Sequence, residues 1–312
     1  MTKQIILERI LEDIRTDSVK SVILDSDMAN EMDDQYALAY CIGSDKIKLL
    51  SVNSAPFRGD RGRTYPQGQE ESYQECLHIR DLCLMDESSL AIWRGAEAPL
   101  TEQNGFAPMD SPASRNIIKT VKESHELVYV LTIGCCTNVV SAYLMDPSIA
   151  ENMCVIWLGG NELSYDDCHE YNLYVDYRAG QILINSNIPL ILMPAESHRR
   201  SLGTQVLKAS FDWLNTIAGT KPIHDYLRHG LPYAFYNNRI RNQQKWRHIL
   251  WDVAAPGLLA VPDAFDLSII TAPIFGDDHR YAFDQTRDKI IYMNKLDKTA
   301  VFDDCAKAIS AI

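Results

Sequence analysis

Directly after the apolar run Ser21-Val22-Ile23-Leu24 comes Asp25-Ser26-Asp27-Met28-Ala29-Asn30-Glu31-Met32-Asp33-Asp34, five carboxylates in ten residues. Like charges crowded onto one turn repel, and a helix N-terminus relieves each carboxylate by only about 0.3–1 kcal/mol. That relief covers one or two of them. A bound hard cation accounts for the rest, because calcium takes about six to eight oxygen ligands, commonly from Asp and Glu. The plainer alternative is a solvated acidic loop in which Asp33 caps a helix. The glycine and closing glutamate of an EF-hand loop are lacking, so that module is excluded.

Such a turn becomes a site only if the fold carries other ligands to it. Short β-branched runs alternate with helix-like stretches along the chain: strands over Ser21–Leu24, Lys48–Val52, Leu90–Trp93, Leu127–Thr132, Cys154–Leu158 and Pro189–Leu192, and helices over Asp33–Cys41, Ser72–Leu84, Ser111–Lys122 and Tyr177–Asn185. A further helix starts near Thr137. This alternation predicts an α/β fold, an open and mostly parallel sheet with helices on both faces. Ligands in such sheets sit beyond the carboxyl ends of the strands. Two stretches break the rhythm. Phe57–Gln69, rich in Gly and Arg, reads as a long loop, and residues 201–260 read as a mainly helical insertion near the site. No linker or internal repeat divides residues 1–312, so one domain is expected.

Composition narrows the partners. Apolar residues make up 46% and charged residues 23% of the 312, as in a packed globular protein. The excess of 42 acidic over 30 basic side chains gives a net charge of -12, which argues against nucleic acid as a general partner. No apolar run is long enough to span a membrane. Ile6, Leu7, Ile10, Leu11 and Ile14 lie on one helical face, so residues 1–17 are expected to form a docked amphipathic helix rather than a leader. The eight cysteines are scattered, with no CxxC pair, and a reduced, cytoplasmic protein is the expectation.

The acidic turn, written DxDxxNExDD, resembles a longer variant of the signature of the nucleoside hydrolases, which cleave the N-glycosidic bond of ribonucleosides. Four further blocks follow in the family's order: Leu131-Thr132-Ile133-Gly134-Cys135-Cys136-Thr137-Asn138, Leu158-Gly159-Gly160, Glu170-Tyr171-Asn172 with Asp176, and Trp251-Asp252-Val253-Ala254-Ala255. The resemblance implies a calcium ion held by Asp27, Asp34, Asp252 and the Ile133 carbonyl, with Asp25 and Asn30 supporting the turn from behind. It implies that this ion grips the 2'- and 3'-hydroxyls of ribose and acidifies a water, whose proton Asp33 takes as general base. Glu170 would hold the 5'-hydroxyl and Asn172 the 2'- or 3'-oxygen. It also implies a nucleoside or related ribosyl substrate and a homodimer or homotetramer.

Two departures stand out. Trp251 occupies the place where many relatives have a histidine, and an indole cannot donate a proton near neutral pH; it would stack on the base or simply pack. His248, Tyr233, Tyr236 and Lys245 are then the possible proton donors. After the second strand, Asn53 stands as a substitute for a missing Gly-Asn pair, and Arg58, Arg61 and Arg63 border the pocket or only solvate a loop. Two other functions stay open. One is a calcium- and ribose-binding protein with little or no hydrolysis. The other is a haloacid dehalogenase-like phosphatase, in which Asp25 would be the nucleophile and Asp33-Asp34 would have no role.

Overall fold

A computed structural model describes residues 2–58, 62–101, 106–198, 202–230 and 247–312. The run KSVILDS forms β1 (Lys20–Ser26), buried along its whole length. Apolar runs without strict alternation suit parallel strands covered on both faces. Five more follow: β2 (Ile47–Ser54), β3 (Ala91–Trp93), β4 (Val128–Thr132), β5 (Met153–Leu158) and β6 (Leu190–Met193). They pair in parallel in the order β3-β2-β1-β4-β5-β6. The strand Lys289–Leu296 adds in parallel beside β6, and Phe265–Thr271 closes that edge antiparallel. The expected fold class is the observed one, with an antiparallel edge that the sequence pattern did not announce.

Alternate strand residues serve opposite faces, as the pleat requires. Val22, Leu24, Leu131 and Ile156 join one apolar core, whereas Ile23, Val130, Val155 and Trp157 join another. Helices α1 (Lys3–Asp13), α2 (Asp33–Gly43), α3 (Tyr65–Leu82), α4 (Pro112–Glu123), α5 (Thr137–Met145), α6 (Tyr171–Val175) and α7 (Tyr177–Asn185) surround the sheet. Helix α2 is buried from Asp33 through Cys41, packed against the C-terminal helix Lys298–Ser310. The chain runs outward from β1 to β3 and then returns to β4 beside β1. Their exits therefore diverge, which opens a crevice at the strand ends. Asp25 of β1 lies opposite Thr132 of β4, so Asp27 and Ile133 both emerge at that crevice.

One local expectation is corrected. Helix α3 starts at Tyr65, inside the stretch expected to be loop, because Thr64 and Gln67 form a reciprocal capping box with Pro66 in the first turn. The segment expected to be mainly helical is so in its described residues, which hold helical turns of three to five residues and the helix Ala254–Ala260. It also contains an antiparallel pair, Lys208–Ser210 with Arg247–Ile249, which aligns Ala209 with His248. All eight cysteines are free and buried. Among the described residues no helix is long and apolar enough to cross a membrane.

Candidate active site

The acidic turn meets the late aspartate. Asp33 and Asp34 open α2, and Asp252 sits in a short helical turn, Trp251–Val253. Side-chain oxygens of Asp33, Asp34 and Asp252 lie within 4.8 Å of one another, all three buried. Asp27 is repelled by Asp33 and itself repels Asp34 and Asp252, so it belongs to the same group. Its Oδ1 rests against Gly134, where an added Cβ would come within 2.7 Å. Asn30 bonds the Asp27 side chain, Ser26 Oγ donates to Asp34 Oδ1 at 2.5 Å, and the Asp252 N–H donates to Asp33 Oδ2 at 3.2 Å.

Burial, reinforced by mutual repulsion, pushes these carboxyls up: Asp27 to about 8, Asp33 to about 6, and Asp34 and Asp252 well above the usual range. Asp34 and Asp252 face each other within this cluster and repel, which raises the Asp252 carboxyl further. Two carboxylates about 4 Å apart repel by about 4 kcal/mol at an effective dielectric of 20, several times what the helix dipole returns. A divalent cation removes that repulsion. The donor set, hard oxygens only, fits calcium or magnesium and not a soft thiophilic metal.

Other expected residues surround this group. Asp25 is fully buried; burial raises its carboxyl to about 7, against an opposing hydrogen bond from Asn138 at 3.0 Å. Asn53 lies opposite Asp25 in the β1–β2 register and accepts from Asn116 through its Oδ1. Glu170 caps α6: its Oε1 accepts from the Asn172 N–H, and its Oε2 from the N–H groups of Leu173 and Gly160. Burial lifts its carboxyl to about 7 despite those bonds. Asn172 spends its amide donors on the carbonyls of Ile133 and Leu158, at 2.9 and 3.0 Å. The Ile133 carbonyl keeps a second lone pair. Trp251 is half-buried and meets His248 edge-on at 6.0 Å. His248 pairs with Glu31 at 3.5 Å and attracts Asp33. Arg58 is exposed, and Arg63 pairs with Glu71. Tyr233, Tyr236, Lys245 and Arg61 lie outside the described residues.

The family model for inosine-uridine preferring nucleoside hydrolases matches residues 22–301. The chain belongs to the nucleoside hydrolases. It is 24% identical over 194 residues to the pyrimidine-specific ribonucleoside hydrolase RihA of Escherichia coli O127:H6, a match that takes in 55% of this chain and 58% of that relative's length. A plant nucleoside hydrolase, PpNRh1, superimposes with a TM-score of 0.70 at 15% identity, over 94% of this chain and 99% of that one. The inosine-uridine preferring nucleoside hydrolase from Bacillus anthracis gives a TM-score of 0.68 at 15% identity, over 94% and 100%.

Within this nucleoside hydrolase, two supporting residues carried no assigned role in the sequence. Asn138 donates to Asp25 and to the Ser54 carbonyl and accepts from the Ala96 N–H, tying β1, β2 and the segment after β3 together. The signal that could have found it is an amide in the first turn of a largely apolar helix, α5. Asp176 likewise accepts from Thr137 Oγ1 and from the N–H groups of Leu100 and Ala179.

Proposed function

We propose that the chain hydrolyses the N-glycosidic bond of ribonucleosides, or of a closely related N-ribosyl compound, with calcium bound, releasing ribose and the free base. The observation that carries this reading is the burial of Asp27, Asp33, Asp34 and Asp252 together at the strand ends. Asp27, Asp34 and Asp252, with the Ile133 carbonyl, would hold the ion. When bound, the ion would supply Lewis acidity that lowers the pKa of a water and a hard anchor for vicinal hydroxyls.

The remaining work belongs to the chain. Asp33, the member of the acidic group not assigned to the ion, takes the proton of the attacking water. Attack at the anomeric carbon proceeds through an oxocarbenium-like state, as in other glycoside hydrolyses. Glu170 keeps one lone-pair site on Oε1 beyond its three main-chain bonds, room for one donated 5'-hydroxyl. Asn172, its donors committed, offers a sugar hydroxyl its carbonyl oxygen as acceptor. Trp251 offers the base a ring face, and His248, beside Glu31, is the group we assign to protonating the departing base.

The test is ribose release from a nucleoside panel by the wild type and by Asp33→Ala. The variant should fold and bind calcium while hydrolysis falls by about two to four orders of magnitude, the range for loss of a general base. Undiminished activity would reject Asp33 as the base. The same assay on Asp27→Asn separates loss of the base from loss of the ion, because that variant should lose calcium affinity as well.

A further inference from the structure

Glu170 is held from two sides by a hairpin far away in sequence. The strands Ile274–Phe275 and Tyr281–Ala282 pair antiparallel, and the Gly276 N–H closes the turn on the Arg280 carbonyl at 2.9 Å. His279 sits at that turn with a φ of 60°, a left-handed conformation costly for a residue with a Cβ. The hairpin is braced on α7: Tyr177 Oη donates to the Gly276 carbonyl at 2.6 Å, and Gln181 Nε2 to the Phe275 carbonyl at 2.8 Å.

From this base the hairpin reaches both ends of the loop between β5 and α6. At the near end, Tyr281 Oη donates to the Asn161 carbonyl at 2.6 Å. The residue before it, Gly160, gives its N–H to Glu170 Oε2 at 2.9 Å. Gly160 has a φ of 69°, and a Cβ there would come within 2.8 Å of the Tyr281 hydroxyl, so only glycine lets the tyrosine approach. At the far end, the Cys168 N–H donates to the His279 carbonyl at 2.9 Å, and the Glu170 N–H donates to the Cys168 carbonyl at 2.9 Å. One chain of bonds thus fixes the Glu170 carboxylate through Asn161 and Gly160, and another fixes its backbone through Cys168.

We propose that Tyr281 is a positioning residue for substrate: by holding the Gly160–Asn161 turn, it aims the free lone pair of Glu170 at the sugar's 5'-hydroxyl. The proposal rests on the hydrolase reading above and on the role given there to Glu170. Tyr281→Phe removes one hydrogen bond and keeps the ring.

The experiment compares wild type and Tyr281→Phe on inosine and uridine and on their 5'-deoxy counterparts, with calcium present and thermal unfolding recorded for both proteins. The variant should lose about three- to tenfold in kcat/KM on the ribonucleosides, mainly through KM, the effect of one misaligned hydrogen bond. On the 5'-deoxy substrates it should match wild type within about twofold, because the aimed contact is no longer there to lose. An equal loss on both substrate types, or no loss on either, overturns the assignment. If the wild type cleaves none of these nucleosides, the hydrolase reading is what fails. Tyr281 is then judged by calorimetric binding of methyl β-D-ribofuranoside against its 5-deoxy counterpart: wild type should prefer the parent ribofuranoside and Tyr281→Phe should not, and an unchanged preference overturns the proposal.

Discussion

At the scale of single residues, the four buried aspartates divide their work by surroundings. Asp33 differs from its neighbours in facing His248 and Glu31, and its carboxyl is the least raised of the four. A protonating role for His248 has a specific signature. His248→Gln should slow hydrolysis of nucleosides by about 100-fold, yet leave nearly untouched a riboside whose leaving group needs no proton, such as p-nitrophenyl riboside. Equal slowing of both would assign the imidazole a structural role. The acidic turn was legible because its members adjoin in the chain. The jobs of Glu170 and Asn172 were less so: both spend hydrogen bonds on main-chain groups of Gly160, Ile133 and Leu158, contacts that only the folded chain creates.

At the scale of elements, the strand ends set the distances. Gly134 follows β4 and leaves room for the Asp27 carboxylate, which a Cβ would meet at 2.7 Å. Gly134→Ala should therefore keep the fold but weaken calcium binding by about tenfold or more, about 1.4 kcal/mol or above in binding free energy, as read by calorimetric titration. Unchanged affinity would mean that Asp27 is not a ligand. The parallel strands were legible because unbroken apolar runs such as MCVIWL have few other uses. The antiparallel edge was not, because Phe265–Thr271 is mostly half-buried and lacks a strong pattern. The short antiparallel pair between residues 201 and 260 was hidden for a similar reason: Lys208–Ser210 finds its partner about forty residues later, and no local spacing signals a pairing of that kind.

At the scale of the molecule, a cluster of buried carboxyls makes metal-free stability depend on pH. Asp25 and Asp27 rise from 3.8 to about 7 and about 8 in the fold, so protonation favours the folded chain. Their contribution is fully present below the unfolded value near 3.8 and is lost as pH rises through the folded values. Chelated protein should accordingly unfold at a lower temperature at pH 8 than at pH 5.5, by about 5 °C or more, and calcium should reverse most of the difference at pH 8. A midpoint that rises with pH in the absence of metal would contradict this electrostatic account.

The most direct test of the central claim is the release of free ribose from a broad panel of ribonucleosides, assayed with calcium, after chelation and after calcium is restored. Ribose should appear from at least one nucleoside, disappear on chelation and return with the ion. Release that continues undiminished in excess chelator, or none from any nucleoside with calcium present, would contradict a hydrolase built around a cation held by Asp27, Asp34 and Asp252.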